Sequence, residues 1–535
     1  MIHGQGRAAS RRVGRIVLQL VIGVVSVAGL RNERAHAGGF EAPGNGAEAM
    51  GRGGAFTAKA DDGTAFEYNI AGFARQRGTR LLLDGKLVLN KFEFTRAGSY
   101  PAEANTAWGG MAYPTVTSNG LSGAPLLAIS TDFGYFDRWT FAIGLNTPSA
   151  SDSNRRFPTT VNGTWPAPNR YDINSIDILV VYPMLAAAVR VTRWFDIGIA
   201  LQAVYGHFDL KATAFADLGS ACAGPQSATC DSQLNIKTKG FTATGALGLM
   251  FHPLDELHIG LHVRGPIYLN TSGDLTATAP PALPTTLDPG NPANPAQATL
   301  PFRLPWVVRL GLRYAVMRNH REAGDIEIDG TYEAWKEAQG VGDQLTSPVL
   351  GPFTDIKATL VHHYKDTGSV RVGGAWNRYF NNDSRLTVRA GVFYDSSATT
   401  AAYTKLDFDT MDKIGVALGA GYKIRGVTIN AAYTFITSPG RTVTEGRQQV
   451  INGINGSTQA SNGDPNPVFN NGEYKSTTHL ILIGLNFAFD ELMHKKQRPD
   501  PFGDVSPAPV KERAQPQTRR TTDQRPITKT QIALK

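Results

Sequence analysis

The chain has 535 residues, with 53 Lys and Arg against 45 Asp and Glu for a net charge of +8. Residues 1–37 hold six Arg and one Glu, so the rest carries only +3, too little for a surface built to hold nucleic acid. A charged fraction of 18% with a mean hydropathy of −0.21 suits strands that turn one face to lipid and the other to water.

Taken in order, Arg7, Arg11, Arg12 and Arg15 precede an apolar run from Ile16 to Leu30 and a polar piece ending Ala35-His36-Ala37. This pattern predicts a signal peptide over 1–37, cleaved near Ala37. The apolar run has 15 residues, short of the roughly 20 that a membrane-spanning helix needs. Residues 38–78 are too rich in glycine for a helix and too irregular for a strand, so compact coil is expected. Yet Met50, Phe56, Phe66, Tyr68, Ile70 and Phe73 need cover that a solvated linker would not give.

The run Met50 to Phe56, then Ala60-Asp61-Asp62-Gly63, then Asn69-Ile70-Ala71-Gly72, resembles the amino-terminal hatch of the outer-membrane long-chain fatty acid and aromatic hydrocarbon transport family, the FadL/OMPP1/TodX type. The resemblance implies a fourteen-stranded barrel plugged by 38–78. It also implies passive inward passage of hydrophobic molecules and a hatch or gating role for Gly51, Arg52, Gly53, Asn69, Ile70 and Ala71. Ile70 stands where the family usually has proline, which leaves the turn at Asn69 less rigidly set.

The remaining chain alternates with period 2. Trp306, Val308, Leu310, Leu312 and Tyr314 interleave with Arg309, Gly311 and Arg313, and Ile326, Ile328 and Tyr332 interleave with Asp325, Glu327 and Asp329. Strands are expected at about 79–95, 124–134, 138–147, 173–190, 194–213, 234–252, 256–275, 301–317, 323–336, 368–379, 384–396, 411–424, 426–438 and 474–489. Tight turns alternate with long loops between them, the organisation of an all-β, 14-stranded antiparallel transmembrane β-barrel over 79–489 with the hatch in its lumen. Trp139, Tyr182, Trp194, Tyr314, Trp335, Trp376 and Tyr422 are expected in interfacial girdles. Leu304-Pro305, Val308, Leu310-Gly311 and the acidic strand after them are similar to the family's mid-barrel hairpin.

Cys222 and Cys230 form a close pair and predict a disulfide in an exported protein. Residues 490–535, rich in Pro, Arg, Gln and Thr, predict a disordered periplasmic tail. The proline-rich loop Thr276 to Leu300, and Ala97 to Gly123, are candidates for an apolar capture surface. Phe56, Phe66 and Phe73 are expected to line the lumen.

Arg309, Arg313, Arg371 and Arg389 are cationic candidates for a cargo carboxylate, the alternative being ion pairs with Asp325, Glu327, Asp329 and Glu333. Gly144 and Asn146, before Pro148, mark a strand where cargo would leave sideways into the membrane. His207, His258, His262, His362 and His363 have no nucleophile motif beside them, so no catalytic residue, metal or cofactor is expected. The expected partners are a fatty acid or hydrocarbon cargo and outer-membrane lipid, with the chain acting as a monomer. The competing readings are a general hydrophilic porin and an outer-membrane adhesin or receptor.

Overall fold

A computed structural model describes residues 44–494 and 502, apart from 103–105, 148–153, 223–225, 284–289, 339–343, 348–355, 360–361, 381–383 and 451–465. The expected signal peptide and nearly all of the expected tail lie outside the described residues. The chain separates into a unit Met1–Gln497 and a second unit Arg498–Lys535, and all that follows belongs to the first.

Fourteen wall strands follow one another. They are β1 Arg80–Arg96, β2 Thr115–Thr131, β3 Trp139–Asn146, β4 Ser175–Arg190, β5 Phe195–Phe215, β6 Asp231–Phe251, β7 in two parts (Leu257–Arg264 and Ile267–Ala277), and β8 in two parts (Ala296–Leu304 and Val307–Arg318). After these come β9 Arg321–Glu333, β10 Thr367–Tyr379, β11 Arg385–Asp395, β12 Lys413–Ile424, β13 Val427–Thr437 and β14 Gly472–Ala488. Each pairs antiparallel with the next, and β14 pairs with β1 from Arg80 to Arg96, so the sheet closes. Closure leaves no backbone edge in hydrocarbon.

The alternation seen in sequence is the alternation of the wall. Leu310, Ile326, Val388, Val392, Ile429 and Ile483 are exposed on its outer skin, while Arg313, Asp325, Glu327 and Arg389 are buried inside. Trp139, Trp194, Trp376 and Tyr422 face outward, but Tyr182 turns into the lumen and Trp335 is fully buried in the loop after β9, so these two are not girdle residues. Tyr182 shares the inward parity of Ile178 and Val180, which are as apolar as Leu179 and Val181 on the outward parity, so the pattern around it did not mark its face.

Three boundaries differ from expectation. β2 starts at Thr115 and β8 at Ala296, so the ends of the two expected capture loops are wall. Their polar, small-residue composition hides the period because both lie near the rim, where neither face is strongly apolar. The last strand stops at Ala488, and Phe489–Leu492 makes one helical turn in which Glu491 pairs with Lys423 at 2.8 Å.

β7 and β8 break opposite each other, at Gly265-Pro266 and Pro305-Trp306. Proline offers no N–H to the ladder, so a break is the natural outcome at both. The break also changes which residues face inward. Gly260 and His262 are buried on one side of it and Ile267 and Leu269 on the other, so the parity flips within each strand. A bulge of this kind re-aims side chains.

Candidate functional site

Residues 44–78 lie among the inward faces of the wall strands. They are not wholly coil: Ala47–Met50 and Ala65–Tyr68 are single helical turns and Ile70–Arg75 is a 3-10 turn. Gly53 and Gly54, with φ of 69° and 77°, supply the left-handed residues that turn the chain between them.

Three cross-strand glycine pairs receive this segment. Gly373 of β10 faces Gly391 of β11, Gly260 of β7 faces Gly311 of β8, and Gly198 of β5 faces Gly248 of β6. A Cβ on Gly373 would stand 1.9 Å from the carbonyl oxygen of Arg52, one on Gly260 2.3 Å from that of Thr57, and one on Gly198 2.6 Å from that of Ile70. The wall is therefore recessed where the segment's backbone runs. Gly51, Arg52 and Gly53 sit against β10 to β12, and Asn69, Ile70 and Ala71 against β5 and β6.

Polar contacts pin it from several sides. Arg52 donates to Asp325 at 2.9 Å and Glu327 at 3.3 Å, all three side chains fully buried. The backbone N–H groups of Phe56 and Thr57 both donate to Asp329 at 2.9 Å, and that of Ala58 donates to Glu327 at 2.6 Å. The acidic face of β9 thus serves the inner segment as well as the basic residues of neighbouring strands. Of those, Arg313 pairs with Asp325, while Arg389 pairs with Glu48 at 3.0 Å and Arg371 with Asp395 at 2.8 Å. Arg309 has no carboxylate partner among the described residues; its guanidinium lies over the Tyr68 ring, 5.3 Å from the centroid.

The turn expected to be loose at Ile70 is fixed by its neighbour. The Asn69 side chain accepts from Ala71 N at 3.1 Å and donates to the carbonyls of Thr57 and Leu249, both at 3.0 Å. A side-chain cap does here what a proline ring would do by restricting φ.

Toward the long-loop end lies an apolar cavity of about 100 Å³. Ile176 and Ile178 of β4, Phe208 and Leu210 of β5, and Leu300 and Phe302 of β8 form its walls. Its far side is polar and comes from three loops: Asp172, His362 with Tyr364, and Lys405 with Asp407. Lys405 stands 3.5 Å from Asp172 and 3.9 Å from Asp407, which also lies 2.7 Å from His362. Burial pushes the Asp172 carboxyl up to about 6 despite Lys405. For Asp407 the same burial is outweighed by His362 and Lys405, which hold it well below the ordinary carboxylate range.

This cavity was not legible in the sequence. Phe56 and Phe73 pack within the inner segment and against the wall, and Phe66, whose ring centroid is 4.8 Å from that of Phe73, lines a smaller cavity. The available signal was in β4, where Ile176, Ile178 and Val180 are apolar on the parity opposite to the equally apolar Leu179 and Val181. A strand greasy on both faces is out of place around a watery bore.

At β3 the wall narrows. β3 has 8 residues and pairs with β2 only from Leu126 to Thr131. Beyond Asn146, the described residues that join the outer part of β2 to β4 are Arg155 and Arg156. Gly144 leaves room for the Phe66 ring, and Asn146 accepts from Asn45 at 2.8 Å and donates to Glu67 at 3.3 Å. Elsewhere, Cys222 and Cys230 are joined in a disulfide in the loop after β5.

Residues 29–468 match the family model described as outer membrane protein transport protein (OMPP1/FadL/TodX). Among solved structures, a Pseudomonas aeruginosa FadL homologue aligns at 16% identity over 84% of this chain and 100% of its own, with a TM-score of 0.65. The Ralstonia pickettii toluene transporter TbuX aligns at 14% identity over 83% and 98%, with a TM-score of 0.56. The Pseudomonas putida toluene transporter TodX aligns at 17% over 83% and 98%, with a TM-score of 0.54. At such identities the likeness concerns the fold. No curated protein matches the sequence.

Proposed function

We propose that this chain, which belongs to the outer membrane protein transport protein (OMPP1/FadL/TodX) family, carries fatty acids or related hydrocarbons passively across the bacterial outer membrane as a monomer. The observation that carries this reading is the pairing of a lumen filled by residues 44–78 with an apolar cavity on its long-loop side. An apolar solute gains nothing from a watery bore, whereas leaving water for this cavity gains roughly 25 cal/mol per Å² of apolar surface buried. A hydrophilic porin needs the opposite lining.

Under this reading residues 38–78 are the plug, with Gly51, Arg52, Gly53, Asn69, Ile70 and Ala71 as its seating points. Cargo enters from the loops, rests against Phe208, Ile178 and Phe302, and leaves sideways beside Gly144 and Asn146, where β3 is short. The test is equilibrium binding of toluene and palmitate to the protein in lipid nanodiscs, compared with the Phe208→Ala variant. Losing one buried aromatic contact is expected to weaken both by about tenfold; unchanged affinities would remove the cavity from the route.

The polar end of the cavity makes the reading pH-sensitive. Because the Asp172 value is raised above its ordinary 3.8, the group supports the native loops fully below that value and loses this contribution as pH rises through about 6. Ionised Asp172 also opposes an anionic guest. Hexadecyl sulfonate, charged throughout, is expected to bind roughly fivefold tighter at pH 5 than at pH 7, and the Asp172→Asn variant is expected to lose this difference. A pH response surviving in that variant would assign it elsewhere.

A further inference from the structure

The polar end of the apolar cavity offers acceptors and lacks donors for them. His362 Nε2 lies 2.7 Å from Asp407 Oδ2. Asp407 is held ionised and so only accepts, which puts the ring proton on Nε2 and leaves Nδ1 of the neutral imidazole as a bare acceptor. That Nδ1 is buried and finds no hydrogen-bond partner among the described residues. Asp172 is divided in the same way. Its Oδ2 accepts from the backbone N–H of Leu406 at 2.7 Å, whereas Oδ1, with Lys405 Nζ 3.5 Å away, makes no hydrogen bond among the described residues.

Two acceptors from two loops thus border one greasy space, each without a hydrogen bond. Buried polar atoms are normally satisfied, so the guest that suits this end brings an O–H. Charge argues against the alternatives. Asp172 and Asp407 against Lys405 leave no positive excess for a carboxylate. Lys405, standing beside Asp172, in turn opposes a second cation. Arg303 also borders the cavity, but its guanidinium lies over the exposed Tyr268 ring, 5.3 Å from the centroid. Size points the same way: an apolar cavity of about 150 Å³ takes benzene, and about 100 Å³ is on the scale of one ring.

We propose that this end of the cavity selects single-ring guests carrying a neutral hydroxyl, phenols above all, with His362 Nδ1 as the acceptor of the O–H. Phe208, Ile178 and Phe302 hold the ring, and the Asp172 carboxylate, which repels a guest's lone pairs, sets the preference for a donor. The inference rests on the reading that cargo occupies the apolar cavity, and it narrows that cargo from hydrocarbons at large to hydroxylated ones.

The experiment compares p-cresol with p-xylene, which has nearly the same shape but a methyl in place of the hydroxyl. Equilibrium binding to the full-length protein in nanodiscs is measured at pH 8, where imidazoles are ordinarily neutral, with binding to empty nanodiscs subtracted. Burying a hydroxyl without a partner is costly, so a purely apolar cavity prefers p-xylene by roughly tenfold or more. The wild-type protein is expected to bind p-cresol at least as tightly as p-xylene. His362→Phe keeps a ring and removes the acceptor, and is expected to move the ratio of the two affinities toward p-xylene by roughly tenfold. Should that variant not assemble, the wild-type ratio decides by itself. A wild-type preference for p-xylene of tenfold or more, or a ratio that His362→Phe leaves unmoved, overturns the assignment while leaving the apolar cavity's role intact. A wild-type protein that binds neither ligand overturns the transport reading and this one with it.

Discussion

The Arg52→Ala variant is expected to conduct ions in planar bilayers where the wild-type protein conducts little. Arg52 is fully buried and holds Asp325 and Glu327. Among the described residues it is the one cation within ion-pair distance of Glu327, since Arg313 reaches Asp325 but not Glu327. Breaking one side of a buried ion pair typically costs about 3–5 kcal/mol, because the remaining charge stays out of water. The cheapest relief is for the inner segment to withdraw and let water reach β9, which opens the bore.

Replacing both partners with neutral groups removes that drive. The double variant Arg52→Met with Glu327→Gln is therefore expected to conduct much less than Arg52→Ala alone. Single-channel recording decides the matter. An Arg52→Ala protein as silent as the wild type would mean that the segment is held by the backbone bonds to Asp329 and the glycine seats without help from this ion pair.

Filling a glycine seat is expected to be nearly as disruptive. A side chain at position 373 meets the Arg52 carbonyl, and backbone cannot swing aside as a flexible side chain can. Overpacking usually costs about 1–3 kcal/mol, and Gly373→Val falls in the upper part of that range or beyond because its closest contacts are main chain. A Cβ added to Gly330, which also sits in a strand of the wall, would meet nothing within 4 Å. Gly330→Val carries the same gain in strand propensity without the collision. Gly373→Val is thus expected to unfold at a temperature several degrees lower than Gly330→Val, read as the shift in migration of heated against unheated protein. Equal temperatures would show that the segment does not press on the wall at this point.

The wall was legible because lipid imposes a simple rule on it. Leu310, Ile326, Val392 and Ile483 must be apolar whatever lies within, and turns such as Arg425-Gly426 are short, so fourteen strands could be placed from alternation and loop length. The interior obeys no such rule. Whether Arg313 or Arg309 is free depends on which carboxylates the inner segment claims, and Arg52 and Asp325 lie 273 residues apart.

The apolar cavity escaped notice for a similar reason. Its lining is drawn from separate strands and three loops, and only the two-faced greasiness of Ile176 to Val181 hints at it locally. The breaks at Gly265-Pro266 and Pro305-Trp306 were visible as residues but not as a matched pair, since their opposition appears only when β7 lies beside β8.

The glycine seats also set an order of assembly. The residues they receive are made before any strand, yet the seats belong to β5 through β11, and the last of these comes more than three hundred residues later. Until β10 and β11 lie side by side, the recess that takes the Arg52 carbonyl does not exist. The earliest part of the chain is then among the last to settle.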